Sequence, residues 1–451
     1  MGKINEVIKK IRNSHFFISV FKVGAGQLIS QILTLVSMPI LSRIYSDAAY
    51  GDTALISSTS ALLINLFTFG MIPAIMKPQE DEESRKVFTT VILANLILST
   101  GLTAVYAVLS SRIQLFEVSN SYGLALLLMW LYCVTNTAYS AMIVYSNRKQ
   151  RYNKLFFNPI IGTATNFLIA IPFGLLGFGF EGFMLTYILC DLLCCVHMMW
   201  GDFPFSRHYH LRDFLRVFKD YKEYVLFQYP ADFLRSFGNE YPTQYLGRVF
   251  PTQELGGYSM CVRVLQLPIR LIAAPISTVY FRTATEYHQE GKNLAHFTYQ
   301  MVSKILLISV LPVIVFILIS EPVFALVLGK TWREAGALAS FLIIQYVLMF
   351  CAQTTSYCRV SIGRQKTDLA VSLVRFAIVV VSCFAGYSVF HTMRGTVVCY
   401  SIGQCIYNIF DLAASFYCMD KKYLKKYLVI SIAYSLLMYA VLMVKGIALP
   451  G

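Results

Sequence analysis

Charged residues are scarce in this chain. Only 14% of its 451 residues are Asp, Glu, Lys or Arg, whereas 57% are hydrophobic. A water-soluble domain carries about 25% charged residues and ~45–50% apolar ones, so the composition excludes most soluble proteins and disordered chains. The apolar residues form long runs and do not alternate with polar ones, which excludes an outer-membrane β-barrel. We therefore expect an all-α polytopic membrane protein.

The sequence also lacks the motifs of soluble catalysis and of metal binding. Its 11 cysteines are scattered, mostly through apolar runs, and none forms a Cys-x-x-Cys pair, so neither a disulfide framework nor a metal site is expected. The Gly-Lys-Thr of residues 329–331 resembles the end of a P-loop, but Phe324 stands where that motif needs glycine. His208 and His210 lie in a basic loop without clustered ligands. We expect no enzymatic activity and no cofactor other than a coupling ion.

Long apolar runs dominate the chain, each close to the ~20 residues that a helix needs to cross a bilayer. They cover residues 16–41, 50–73, 87–110, 122–146, 155–176, 180–201, 225–248, 258–281, 299–319, 336–358, 369–390, 396–418 and 428–445. This pattern predicts 12–13 transmembrane helices in two sets of six, with an extra helix at the C-terminus. The predicted parts are an N-terminal six-helix lobe (1–201), a cytoplasmic linker (202–224), a C-terminal six-helix lobe (225–418), and a basic loop with the extra helix (419–451).

Basic residues outnumber acidic ones, 38 against 24. With a cytoplasmic N-terminus, 24 of the basic residues fall in cytoplasmic segments and six in outside loops. Because cytoplasmic loops are enriched in Lys and Arg, this distribution predicts that orientation, and it explains the net charge without nucleic-acid binding. In the linker, Arg212, Arg216 and Lys219 recur about once per helical turn. We therefore expect an amphipathic helix on the anionic inner leaflet, with membrane lipids as partners.

A short internal repeat supports the division into two halves. Residues 44–51 read Ile-Tyr-Ser-Asp-Ala-Ala-Tyr-Gly, and residues 249–256 read Val-Phe-Pro-Thr-Gln-Glu-Leu-Gly. Each copy is an aromatic residue, a polar turn and a glycine that opens the next span. Six spans separate the copies, so both have the same orientation in the membrane. This predicts two six-helix bundles related by a pseudo-two-fold axis along the membrane normal.

Polar residues inside the predicted spans are costly in lipid and therefore mark candidate functional positions. On the seventh span they fall on one helical face, at residues 228, 232, 235 and 239, and the eighth and twelfth spans have similar faces. The candidates for a substrate-binding cavity are Arg270, Arg235, Arg263, Arg375, Gln266, Asn239, Gln27 and Gln31. The candidates for coupling to H⁺ or Na⁺ are Asp191, Asp232, Asp411 and Glu240.

The cavity candidates are predominantly cationic. Because the planar guanidinium fork matches phosphate oxygens, a water-filled cavity lined by arginines would suit an anion such as pyrophosphate. The structural alternative is interhelical ion pairing, in which Asp191 or Asp411 pairs with Arg270 or Arg375 and Asp232 pairs with Arg235. Arg270 is the strongest candidate for binding, because no acidic residue lies on its own span.

Four loose motifs occur in order along nearly the whole chain. They are 26–51, with Gly-Gln, Pro-Ile-Leu-Ser-Arg-Ile-Tyr-Ser and Tyr-Gly; 146–148, Ser-Asn-Arg; 255–276, with Leu-Gly-Gly-Tyr-Ser, Leu-Pro and Pro-Ile; and 324–336, with Trp332 and Ala-Gly. In these motifs the chain resembles the Wzx-type polysaccharide flippases of the MOP (MATE-like) superfamily.

The resemblance implies two six-helix lobes around a central cavity that opens to each side of the membrane in turn. It implies transfer of undecaprenyl-pyrophosphate-linked oligosaccharide across the bacterial inner membrane, with polysaccharide polymerase or assembly proteins as further partners. Arg235 and Arg270 lie in spans whose cationic residues are thought to hold pyrophosphate and sugar in such flippases. The acidic residue usual near the outer end of the seventh span falls on Glu240, and the thirteenth span departs from the family pattern.

Two other functions fit parts of the sequence. A MATE-type ion-coupled exporter of small organic molecules would have the same fold, and Asp191, Asp232 and Asp411 could receive its cationic substrates. A membrane-embedded polymerase or glycosyltransferase usually needs a sizeable loop with acidic catalytic residues, and the predicted outside loops are short. The sequence therefore favours a flippase, and it leaves the glycan and the energy source open.

Overall fold

The computed structural model describes residues 15–109, 122–222, 225–226, 229–290, 292–355, 359 and 367–446. Every regular element within these ranges is a helix, and they contain no strand. Helices suit these apolar runs because each helix satisfies its backbone hydrogen bonds within one segment, with no help from water. The predicted all-helical fold is therefore confirmed.

The helices follow the predicted apolar runs. In the first half they are α1 His15–Ile44, α2 Asp47–Phe67, α3 Asp81–Leu109, α4 Tyr122–Arg148, α5 Tyr152–Leu175, α6 Phe180–Met199 and the short α7 Leu211–Asp220. In the second half they are α8 Tyr229–Val249, α9 Thr252–Pro268, α10 Ala274–Gln289, α11 Leu294–Val327, α12 Arg333–Thr354, α13 Thr367–Phe390, α14 Met393–Met419 and α15 Lys421–Val444. A π-helical segment, Ile269–Ala273, joins α9 to α10, so the eighth run forms one interrupted helix.

Ten helices in the described part of the chain are long and apolar enough to cross a membrane, and α15 is one of them. The chain is thus a multi-pass membrane protein. The long helices that fall outside this criterion are α2, α8 and the α9–α10 pair. Arg235, Asn239, Arg263, Gln266 and Arg270 lie on α8, α9 and the π segment. The least apolar helices therefore carry most of the predicted cavity residues.

The chain folds into two compact units. One comprises Met1–Tyr45 and Ile56–Phe233, and the other comprises Ser46–Leu55 and Leu234–Gly451. The first turns of α2 thus belong to the second unit, although α2 follows α1 directly in sequence. The predicted lobe boundaries at residues 201 and 225 remain a prediction.

Each unit has its own apolar core. In the first unit, Phe88, Met142, Tyr145 and Met198 are fully buried where α3, α4 and α6 meet. In the second unit, α11, α12, α14 and α15 share a core. The appended helix α15 contributes a buried stripe to it at helical spacing: Tyr427, Ser431, Tyr434, Met438 and Leu442. This packing makes α15 an integral part of the second unit.

The two copies of the sequence repeat cross each other inside the second unit. A Cβ atom added to Gly51 would lie 2.8 Å from the carbonyl carbon of Thr252, and one added to Gly256 would lie 2.7 Å from that of Asp47. Asp47 and Thr252 occupy equivalent positions in the two copies, and so do Gly51 and Gly256. Each copy therefore makes the same contact to the other, as local two-fold symmetry requires.

Candidate functional site

Arg270 lies between α9 and α10, where the helix formed by the eighth apolar run changes its hydrogen-bond pattern. Pro268 ends α9, and the π-helical segment begins at the next residue. Proline has no backbone N–H and its ring clashes with the preceding turn, which favours such an interruption. π-Helical insertions occur frequently at functional sites. The local sequence thus places the Arg270 side chain at an irregular point of the helix that the eighth apolar run forms.

The Arg270 guanidinium is exposed and has a neutral partner. Its Nη2 donates a hydrogen bond to Oε1 of Gln266, at 2.7 Å. No carboxylate of a described residue lies within ion-pair distance of it. The predicted ion pair with Asp411 is therefore absent from the second unit. A guanidinium carries five N–H donors, so Arg270 keeps donors available for an anion.

Arg263 lies two turns before Arg270 and stacks on an aromatic ring. Its guanidinium carbon is 5.4 Å from the centroid of the Tyr50 ring, in cation–π geometry. The Tyr50 ring meets Trp332 edge to face, with centroids 5.1 Å apart, and both rings are buried. Arg263 is therefore positioned by Tyr50 of α2, the residue that precedes Gly51.

Arg375 and Asn239 are brought together by the fold. Nη2 of Arg375 on α13 donates to Oδ1 of Asn239 on α8, at 2.6 Å. The same guanidinium stands 5.3 Å from the ring centroid of Tyr407 on α14. Gly238 faces the Arg375 side chain, whose Cδ would be 3.7 Å from a Cβ at that position. The half-buried Glu240 follows Asn239 on α8.

Asp411 has a partner that the sequence analysis missed. Nη1 of Arg359 donates to Oδ1 of Asp411 at 2.7 Å, to its backbone carbonyl at 2.9 Å and to Oγ of Ser415 at 3.0 Å. The structural alternative in which Asp411 pairs with Arg270 or Arg375 is therefore wrong. The tenth apolar run ends at residue 358, so Arg359 falls just outside the predicted span. Its position one residue beyond that run was the available signal.

Asp191 is the isolated acid of the first unit. It is buried on α6, and its Oδ2 accepts a hydrogen bond from Nδ2 of Asn136 on α4, at 3.1 Å. No Lys, Arg or His among the described residues forms an ion pair with it. Nearby, Nδ2 of Asn158 donates to the Tyr139 hydroxyl at 3.2 Å. The first unit thus holds a carboxyl group whose described partner is a neutral amide.

The remaining candidates occupy two helices. Gln27 on α1 is exposed and Gln31 is half-buried. Asp232 is half-buried in the first turn of α8, and Arg235 is exposed one turn later. The fourth member of that face, Gln228, lies outside the described residues. No cluster of three or more His, Cys, Asp or Glu suited to a metal ion occurs in the ranges the structure describes.

The comparisons with known proteins agree with this architecture. The model of a family described as polysaccharide biosynthesis protein matches residues 40–337. No curated protein matches the chain. Among solved structures, the chain is similar to the lipid II flippase MurJ in an inward closed conformation, with a TM-score of 0.63 and 14% identity over 96% of this chain and 99% of that one.

It is also similar to an inward-facing multidrug resistance MATE family transporter of the MOP superfamily, with a TM-score of 0.57 and 18% identity over 90% of this chain and 95% of that one. The MATE multidrug transporter DinF-BH, solved as a complex, gives a TM-score of 0.61 and 14% identity over 90% of this chain and 95% of that one. At such identities the shared feature is the fold. The fold of these solved structures is the one that the resemblance to the MOP superfamily predicts.

Proposed function

Because the chain belongs to the polysaccharide biosynthesis protein family, we propose that it moves undecaprenyl-pyrophosphate-linked oligosaccharide repeat units across the bacterial inner membrane. The observation that carries this proposal is the exposed Arg270 guanidinium, which lies in the eighth predicted span and has Gln266 as its hydrogen-bond partner. A cation in a membrane span is costly unless it has a function or a charged partner. A pyrophosphate-linked lipid would supply that partner.

Arginine suits this substrate better than lysine would. Its planar fork binds two phosphate oxygens at once, which adds both energy and orientation. Arg263 lies two turns from Arg270 on the same side of the helix, so the two could hold an extended anion. Arg235 and Arg375 add further positive charge to the second unit. Gln266, Asn239, Gln27 and Gln31 are the polar side chains proposed to contact the sugars.

Transport is proposed to proceed by alternating access, driven by ions or by the membrane potential. Outward movement of an anion from a negative cytoplasm is favoured by about 2.3 kcal/mol per charge per 100 mV. Asp191 and Glu240 are the first candidates for proton or Na⁺ coupling, because Asp411 is already neutralised by Arg359. Asp232 is the remaining candidate. We propose a cytoplasmic N-terminus, and polymerase or assembly proteins as partners for the delivered product.

The test is the sidedness of the lipid-linked glycan in cells that lack this gene. Deletion should leave completed oligosaccharide on the cytoplasmic leaflet, and the wild-type chain should restore its transfer. Arg270→Gln should lower transfer at least about tenfold, since a hydrogen bond to a charged group contributes ~1.5–3 kcal/mol. Transfer by Arg270→Lys should lie between that of the wild type and that of Arg270→Gln, because lysine keeps the positive charge but lacks the planar guanidinium.

The matched control is Arg333→Gln, which removes an exposed arginine from the start of α12. It should transfer glycan at the wild-type rate. Equal transfer by the wild type and by the double variant Arg270→Gln/Arg235→Gln would refute the proposed site. Normal glycan display with no accumulation after deletion would refute the function.

A second candidate function is MATE-type export of small organic molecules. The observation in its favour is Asp191, a buried acid whose described partner is neutral. Resistance of a drug-sensitive host to cationic compounds, lost in Asp191→Asn, would support export. Unchanged sensitivity together with glycan accumulation after deletion would exclude it.

A further inference from the structure

Helix α7 presents two leucines that nothing in the described chain covers. Leu211 is 84% exposed and Leu215 is 70% exposed, whereas Val217 on the same helix is 4% exposed. A large apolar side chain left in water loses the stabilisation that burial would give it. Two such residues one turn apart on a ten-residue helix therefore indicate a missing apolar neighbour.

Other residues of α7 fix the helix to the first unit. Val217 is part of that unit's apolar core, and the Phe218 ring meets Phe69 edge to face, with centroids 5.3 Å apart. Asp213 lies 3.4 Å from Nζ of Lys86 on α3. The carboxylate of Asp213 also accepts the backbone N–H of His210, at 2.9 Å, which caps the helix. These contacts set the rotation of α7 about its axis.

With the rotation set, the residues of α7 divide into arcs. At about 100° per residue, Leu211 and Leu215 lie ~40° apart, beside the protein-packed arc. The next ~60° holds three exposed cations, Lys219, Arg212 and Arg216. An apolar edge followed by a cationic edge is the arrangement of a helix lying in a membrane interface, with acyl chains below it and phosphates beside it.

The chain also keeps α7 near the membrane. It begins twelve residues after the end of α6, a candidate span, and ends nine residues before α8 begins. Trp200, which directly follows α6, is 80% exposed, as expected for an aromatic residue at the headgroup level. A soluble partner could cover the leucines, but the lipid surface is the apolar neighbour that is always close, because short segments connect α7 to α6 and α8.

We infer that α7 is a binding surface for anionic phospholipids, with Leu211 and Leu215 inserted among acyl chains and Arg212, Arg216 and Lys219 on the phosphates. Each cation near an anionic surface contributes about a fivefold gain in affinity, so the three together give a strong dependence on lipid charge. This inference is independent of the transported substrate. It concerns the cytoplasmic leaflet if the proposed orientation holds.

The test is hydrogen–deuterium exchange of the full chain in lipid nanodiscs. One set contains phosphatidylcholine alone, and the other contains phosphatidylcholine and phosphatidylglycerol at three to one. Amides of residues 211–220 should exchange at least about tenfold more slowly in the anionic discs, and 0.5 M NaCl should reduce the difference, as screening requires. Amides of α3 and α4 should exchange equally in both.

Two variants separate the roles of charge and insertion. Arg212→Gln/Arg216→Gln/Lys219→Gln should abolish the dependence on phosphatidylglycerol. Its matched control, Lys421→Gln/Lys422→Gln/Lys425→Gln on α15, removes the same charge elsewhere and should preserve that dependence. Leu211→Ser/Leu215→Ser should speed exchange of α7 in both disc types, while the core amides stay unchanged.

Equal exchange of α7 in the two disc types would overturn the inference. So would a dependence on phosphatidylglycerol that survives in the α7 triple variant. Protection that appears only when a soluble protein is added would assign the leucines to that protein and would likewise overturn it.

Discussion

The crossing at Gly51 and Gly256 offers a sharp steric test. Replacing Gly256 by alanine places a Cβ atom 2.7 Å from the carbonyl carbon of Asp47, and the carbonyl oxygen is closer still. Ordinary carbon–carbon contacts begin near ~3.5 Å. Neither glycine has a positive φ, so alanine can adopt the backbone conformation and the conflict is purely one of space.

The magnitude follows from what has to move. The obstacle is backbone on both sides, so no rotamer change relieves it, and one helix must shift by about 1 Å relative to the other. Overpacking of this kind destabilises by ~1–3 kcal/mol, and we expect the upper end because the contact is with backbone. In a unit of this size that corresponds to a fall of about 5–10 °C in the unfolding temperature of the protein in detergent.

The neighbouring residue supplies the control. A Cβ atom at Gly257 would meet nothing within 4 Å, so Gly257→Ala should raise stability by up to ~1 kcal/mol through helix propensity. Gly51→Ala should resemble Gly256→Ala, and the double variant should lose less than the sum, because the first alanine already separates the helix ends. The reasoning would be refuted if the stability losses of Gly51→Ala and Gly256→Ala were strictly additive, or if Gly256→Ala and Gly257→Ala changed the unfolding temperature equally.

Two further predictions concern charged groups. Arg359→Gln should lower the free energy of unfolding by about 3–5 kcal/mol, because it leaves the largely buried Asp411 carboxylate without its ion-pair partner. The double variant Arg359→Gln/Asp411→Asn should recover most of that loss, and a double variant that is equally unstable in thermal unfolding would contradict this. The backbone N–H of His210 and the ammonium of Lys86 lower the pKa of Asp213. Its contribution to the docking of α7 is therefore complete above the ordinary pKa of aspartate and is lost as pH falls through the lowered one. Exchange of α7 amides, corrected for intrinsic rates, should rise on acidification in the wild type and be already raised in Asp213→Asn at neutral pH.

Hydropathy alone predicts most of the fold, because each apolar run is long enough to be a helix by itself. The runs of α11 and α14 could be found without knowing any contact. What hydropathy misses is where polar residues interrupt a run. Hydropathy does not single out Arg359, because the apolar run of α12 ends at the preceding residue, whereas the fold pairs Arg359 with Asp411 from α14.

The sequence predicts which residues are candidates for the site, but it does not predict how those residues contact one another. Helical spacing put Gln266 and Arg270 on one face, and the structure joins them by a hydrogen bond. The bond from Arg375 to Asn239 links positions 136 residues apart, and no local pattern encodes such a pairing. The π-helical segment at Arg270 likewise depends on how Pro268 is accommodated in the packed helix.

The weakness of the sequence repeat has a structural explanation. The glycine is the one residue that is identical in the two copies. At Gly51 and Gly256 the backbones approach too closely for any side chain, whereas Gly257, one residue further along, faces open space. A self-contact of this kind constrains both copies at one position and leaves the rest free to differ. The shared glycine is therefore the informative part of the repeat, and it marks the point where the two copies meet.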